Sequence, residues 1–164
     1  MAQEIPNNIF CQHDHRGCRA TAMRGARAAC RAANLRLTPM RARVLEILLE
    51  SHKALGAYDI LARLRAEGRS SQPPIVYRAL DFLVSNGFAH RLERLNAFAA
   101  CAHAEDRHQP MFLICESCHQ VAEAPLDRLG QDIFARATKL GFQARSPVVE
   151  VSGLCPACQG DGEQ

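Results

Sequence analysis

The chain has 164 residues, 48% of them hydrophobic, which suits one ordinary domain or two small ones with a buried core and excludes global disorder. No apolar run approaches the ~20 residues that span a bilayer, and the opening MAQEIPNNIFCQHDHRGC lacks the apolar stretch of a secretory signal, so a cytoplasmic protein is expected. The net charge of +3 is unevenly spread: residues 1–88 carry 13 Lys/Arg against 7 Asp/Glu, and residues 89–164 carry 7 against 10, which suggests two jobs on one chain.

Residues 1–18 read as a flexible polar extension that carries Cys11, His13, His15 and Cys18 in one short tract. This tract is a candidate for an extra metal, although a disordered polar extension is the simpler reading. The Ala- and Arg-rich stretch 19–33 reads as a helix. Thr38 then offers an N-cap and Pro39 a first helical residue, with Met40, Val44, Ile47 and Leu48 on one face of a helix that runs to about Ser51.

A second helix is predicted from Ala57 to Glu67, with Leu61 and Leu64 inward and Gly68 ending it. The turn Ser70-Ser71-Gln72-Pro73-Pro74 leads into a third, whose buried stripe is Val76, Ala79, Leu80 and Leu83 and whose stop is Asn86-Gly87. From His90 to Ala100 the period changes to a hairpin. Three short helices and a hairpin make a winged helix-turn-helix, with residues 19–89 as its body and 90–100 as its wing and hinge.

The remainder, 101–158, reads as a second α+β domain. Met111–Ile114, Gln120–Ala124 and Val148–Val151 are predicted strands. Leu126, Leu129, Ile133, Ala137 and Leu140 form the apolar face of an amphipathic helix that ends at Gly141. Residues 159–164 read as a frayed polar tail.

Eight cysteines without an export signal point to reduced thiols rather than disulfides. Four of them form two CxxC pairs, Cys115/Cys118 and Cys155/Cys158, which can close a tetrahedron around a structural zinc ion. A strand, a helix and another strand separate the pairs, so the metal would tie together the ends of a small domain. A lone redox CxxC would not need its twin.

A looser set comprises His90, Cys101, His103, His108 and Glu123. None has motif spacing by itself, and lone His or Glu residues are commonly surface groups. One Cys, two His and one Glu nonetheless make a chemically adequate mixed zinc site. On the third helix, Tyr77, Arg78 and Asp81 point outward if Val76 and Leu80 face the core, which puts Arg78 where a recognition helix reads base edges.

At these residues the chain resembles the ferric uptake regulator family. The matching segments are LTPMRARVLEIL, AYDILARL, PPIVYRALDFLVSNGFAHRLE, FLICESCHQVAE and GLCPAC, so the resemblance runs from about residue 30 to 158. YRALDFLxxxGFxH together with GLCxAC resembles the zinc uptake regulator subgroup. Iron-sensing members carry a run of several His before the first CxxC, which CAHAEDRHQPMFLIC lacks. The resemblance implies an α+β fold: an N-terminal winged helix-turn-helix and a C-terminal α+β dimerisation domain with structural zinc.

It also implies roles. Cys115, Cys118, Cys155 and Cys158 match the structural zinc ligands, and His90, Cys101, His108 and Glu123 fall where the subgroup carries its regulatory zinc. That makes two zinc ions per subunit. Tyr77 and Arg78 match positions that contact DNA. His103 stands close to Cys101 and competes with His108 as a ligand, and residues 1–18 have no counterpart.

The implied function is a zinc-responsive repressor of zinc uptake genes. It would bind palindromic operator DNA as a homodimer, with no membrane partner and no small-molecule substrate. Three other readings remain: a sister sensor of iron, manganese or peroxide, a structural zinc module for a protein partner, and a zinc deaminase or hydrolase. The last is poorly matched. Cys101-Ala-His103-Ala-Glu105 is only a partial ligand motif, Cys155-Pro-Ala-Cys158 lacks the leading Pro, and two complete CxxC pairs leave no open metal position.

Overall fold

The computed structural model describes residues 15–50, 52–69, 72–101 and 109–160, except for the side chains of residues 15, 16 and 18. They fall into two compact units, one within Gln12–Arg107 and one within His108–Gln164.

The first unit begins with α1 (His15–Ala32), whose buried face is Met23, Ala26 and Cys30 at helical spacing. This helix starts earlier than the expected residue 19. The backbone of His15 and Cys18 therefore belongs to it rather than to an extension, whereas Cys11 and His13 lie outside the described residues. Helix propensity does not explain this first turn, since Gly17 is a poor helix former, but no Pro interrupts the stretch and the helix of residues 19–32 continues back through it.

Next comes α2 (Pro39–Leu48), where the Thr38 side chain accepts the Arg41 N–H at 3.4 Å and Pro39 opens the first turn, as predicted. α3 (Ala57–Ala66) opens with the Asp59 carboxylate accepting the Gly56 N–H at 3.0 Å. α4 (Pro73–Ser85) buries Val76, Ala79, Leu80 and Leu83. It ends where Gly87, at φ 74°, lets the Gly87 and Phe88 N–H groups turn back onto the Val84 and Leu83 carbonyls. The Arg41 guanidinium lies 3.7 Å over the Phe82 ring and fastens the start of α2 to α4.

The wing is an antiparallel pair, β1 (Ala89–Leu92) with β2 (Ala97–Ala100), in which His90 faces Ala99. Leu55 and Phe98 exchange two 2.9 Å backbone hydrogen bonds, which joins the segment before α3 to the wing. Val44, Ile47, Leu48, Ile60, Leu64, Val76, Leu80 and Leu83 form a common core beneath. The result is a winged helix-turn-helix.

On the flank of this core, Arg43 donates to Glu46, Glu50 and Glu67, linking α2 to the end of α3. The Arg43 hydrogen bonds hold the Glu67 carboxyl below its ordinary value. A depressed carboxylate stabilises the fold above its unfolded pKa, and that stabilisation is lost as pH falls through the lower, folded value. Arg43→Met should therefore lower the melting temperature most at neutral pH, and the gap to wild type should narrow below about pH 4. Melts at a series of pH values check this; a gap that widens on acidification contradicts it.

The second unit holds β3 (Pro110–Cys115), β4 (Val121–Pro125), α5 (Asp127–Lys139), β5 (Val149–Gly153) and the one-turn α6 (Pro156–Gln159). Its sheet has the order β4-β3-β5, with β3 antiparallel to β4 and parallel to β5. α6 takes in Gln159, whose amide donates to the Leu154 carbonyl at 2.9 Å, so this residue belongs to a helix and not to the expected frayed tail, of which 161–164 lie outside the described residues. Leu126 caps α5 and is buried, but Leu129 and Leu140 are exposed, the latter by 86%. The apolar face predicted for this helix is thus only partly covered by its own unit, with Ile133 and Ala137 half-buried. No helix among the described residues is long and apolar enough to cross a membrane.

Candidate metal centre and nucleic-acid interface

Four sulfurs converge in the second unit, as expected from the sequence. Cys115 ends β3, Cys118 closes the turn that follows, Cys155 caps α6 and Cys158 sits one turn into it. Their Sγ atoms all lie within 4.8 Å of one another. Backbone hydrogen bonds build the knuckle: Cys115 N–H donates to Gln120 O at 2.9 Å, His119 N–H to Cys115 O at 3.0 Å, and Glu116 N–H to Gly153 O at 2.8 Å. The last bond brings the end of β5, and hence the second pair, to the first.

The donor set fits zinc. A tetrahedron with Zn–S bonds of about 2.3 Å requires S···S separations of about 3.8 Å. Cys118 and Cys155 sulfurs stand 3.7 Å apart, far beyond a disulfide bond. N–H groups aim at sulfur too, for Cys155 N–H lies 3.4 Å from Cys115 Sγ. The Cys118 and Cys155 N–H groups together bring the Cys115 thiol down to about 6, so it is poised as a thiolate. Cys158 behaves oppositely. The Ser117 hydroxyl pulls it down, but the sulfurs of Cys155, Cys118 and Cys115 and its desolvation outweigh that and push it up to about 12. Four thiolates cannot share so small a volume without a cation, which is the electrostatic demand a divalent ion meets. Ser117 was not singled out in the sequence; a short hydroxyl residue inside a CxxC loop is the signal that could have flagged it.

Of the looser set, His90 is half-buried on β1 and Cys101 is buried just beyond β2, its N–H donating to Phe88 O at 3.0 Å. The wing register brings the His90 nitrogen and the Cys101 sulfur within 4.8 Å of each other. Glu123 is half-buried in the middle of β4 in the second unit, opposite Phe112. His103 and His108 lie outside the described residues, as do Cys11 and His13, and the side chains of His15 and Cys18.

On α4, Tyr77 and Arg78 are exposed in the first turns, with Val76 and Ala79 buried between them and the core. Ile75 and Tyr58 are exposed in the same unit. Arg43 and Arg63 are committed to ion pairs, but no ion pair among the described residues holds Arg78.

The model of the Ferric uptake regulator family matches residues 32–152. The chain belongs to the ferric uptake regulator family. Among its relatives, the zinc uptake regulation protein of Escherichia coli (strain K12) is 39% identical over 135 residues, covering 81% of this chain and 78% of that protein. The zinc uptake regulation protein of Mycobacterium tuberculosis (strain ATCC 25618 / H37Rv) is 27% identical, covering 78% of this chain and 98% of that one. A zinc uptake regulator solved in complex with zinc and DNA superposes with a TM-score of 0.82 at 34% identity, over 92% of this chain and 98% of its own. Holo XcZur superposes with a TM-score of 0.79 at 42% identity, over 85% and 98%. Within this family the fold is the expected one, a winged helix followed by an α+β domain carrying a four-cysteine cluster.

Proposed function

We propose that this chain is a zinc-responsive transcriptional repressor that binds palindromic operator DNA as a homodimer and controls zinc uptake genes. The observation that carries the reading is a single family member combining an exposed Tyr77–Arg78 face on a helix-turn-helix with a His90–Cys101 pair in its wing. The relatives support it, being named as zinc uptake regulators, and one of them is complexed with zinc and DNA.

Two zinc sites per subunit follow. Cys115, Cys118, Cys155 and Cys158 hold the structural ion, and His90, Cys101 and Glu123 hold the regulatory one with His108 as the fourth ligand, or His103 in its place. Bound zinc supplies a fixed tetrahedral centre for four ligands. The Cys101 thiolate favours zinc over manganese. His90 and Cys101 belong to the unit that carries α4, and Glu123 to the other, so joint ligation fixes a conformation that both units share. A ligand favours only the state for which it has differential affinity, so zinc and operator affinities are reciprocally coupled.

The uncovered apolar residues of the second unit, among them Leu129, Leu140, Phe142, Val148 and Val151, support burial against a second copy. A dimer then presents two α4 helices to two half-sites about 34–36 Å apart. A four-thiolate site has no open position, which argues against zinc enzymology, and a DNA-binding regulator with reduced thiols works in the cytoplasm.

Arg78 tests the interface. A bidentate Arg–guanine contact contributes about 1–3 kcal/mol of discrimination. Arg78→Ala should cost roughly that much on the operator and make one base position indifferent, read by binding to an operator series with each position substituted. Unchanged affinity and unchanged base preference at every position would remove α4 from the reading role.

A further inference from the structure

α1 carries a feature that neither the metal sites nor the α4 interface uses. Its buried face is Met23, Ala26 and Cys30. Beside that face, Arg24, Arg27 and Arg31 are all exposed, at spacings of i, i+3 and i+7 that align them in one stripe. The helix, HRGCRATAMRGARAACRA, contains no acidic residue that could neutralise them. Among the described residues no ion pair joins any of the three, and Arg24 reaches only the Thr21 hydroxyl, at 3.0 Å.

The contrast within the same unit is informative. On the α2–α3 flank, Arg43, Arg63 and Arg69 stand against Glu46, Glu50 and Glu67, a matched set with no net charge. α1 presents positive charge alone. It packs on α2, and α2 packs on α4, so the stripe is rigidly tied to the recognition helix.

We propose that this stripe is a second phosphate-binding strip, which grips the DNA backbone and carries no sequence information. The proposal rests on the operator-binding reading above. Arginine recognises phosphate through a planar fork of donors. Dimensions agree: Arg24 to Arg31 covers about 10.5 Å at about 1.5 Å per residue. Phosphates of one strand advance about 3.4 Å per step along the duplex axis, so the stripe spans about three phosphate steps, enough for one phosphate per arginine. Guanidinium groups at this spacing would add affinity equally on any duplex, because phosphate contacts position a protein without reading bases.

The test uses the full-length, zinc-loaded protein and its Arg24→Gln/Arg27→Gln/Arg31→Gln variant. Gln keeps helix propensity at exposed positions, and far-UV circular dichroism and zinc content verify the fold. Affinity for the operator and for a scrambled duplex is measured across a salt series. Each lost phosphate contact lowers the slope of log K against log salt by about 0.9, so the slope should fall by up to about 2.7 for the three contacts of each subunit, or up to about 5.4 for the bound dimer. Affinity should drop by the same factor on both duplexes and leave their ratio unchanged. The matching Arg→Lys variant should restore the slope, since an ammonium also displaces counterions.

A triple-Gln variant with wild-type slope overturns the proposal and leaves the operator-binding reading intact. Loss confined to the operator also overturns it, because that would mean base readout. Wild-type protein that binds neither duplex at any zinc level overturns both.

Discussion

Cys115→Ser should abolish the folded state of the second unit while the winged helix survives. That unit owns little apolar core. Among residues 109–160, its buried hydrophobic side chains are Phe112, Ile114, Val121, Ala122, Ala124 and Leu126, with Cys115 and Cys155. So small a core supplies only a few kcal/mol, and units of this size depend on a staple. Structural zinc binding is worth about 10–16 kcal/mol in apparent terms for zinc-finger peptides. That is as large as the roughly 5–15 kcal/mol by which whole domains are stable. Cys115 is also the sulfur that gathers the Cys118 and Cys155 N–H groups, so its loss leaves those donors without their acceptor. Zinc content should fall by one ion per chain. Hydrogen exchange should show protection lost across residues 109–160 and kept in α2, α3 and α4. Retained protection in β3 and β4, with one zinc missing, would show that the cluster does not hold this unit together.

His90→Ala should do the reverse, sparing the fold and uncoupling zinc from DNA. His90 lies on a two-stranded wing whose register is fixed by Leu55–Phe98 pairing and by buried Leu92 and Phe98, none of which the substitution touches. The structural zinc should stay at one per chain. Coupling energies between sites are typically about 1–3 kcal/mol, so operator affinity at saturating zinc should fall by about 5–150-fold, toward the zinc-free level. Cys101→Ser should behave alike, since its thiolate is the ligand that most favours zinc. A variant with full zinc-dependent binding would remove His90 from the regulatory site.

Local signals in the sequence carried most of the fold because they act within a few residues. Thr38-Pro39 announced the start of α2, and Asn86-Gly87 the end of α4, each through its own backbone hydrogen bonds. The two CxxC pairs were legible because a thiolate knuckle needs its ligands close together. Their meeting across 37 residues follows from chemistry, since each pair alone is half a site.

Features that depend on distant partners were not legible. The parallel pairing of β5 with β3 leaves no mark on the period of either strand. The Leu55–Phe98 bridge involves a single residue on one side and has no periodicity to read. The start of α1 at residue 15 is not legible because the polar stretch there carries no apolar repeat. For α5 periodicity marks an apolar face but cannot say what covers it: Leu126 is buried, whereas Leu129 and Leu140 are bare. His90 and Cys101 come together through the antiparallel register of β1 and β2, which spacing alone does not reveal.

The most direct test of the account is operator binding by the wild-type protein and His90→Ala side by side, at one fixed salt concentration, with free zinc buffered across several decades. Salt must be held because phosphate contacts make affinity steeply dependent on it. The account predicts that wild type acquires tight binding as zinc rises, and not with iron or manganese at matched availability, while His90→Ala stays at the zinc-free level. Wild-type affinity that is independent of zinc, or that follows iron or manganese instead, would contradict it.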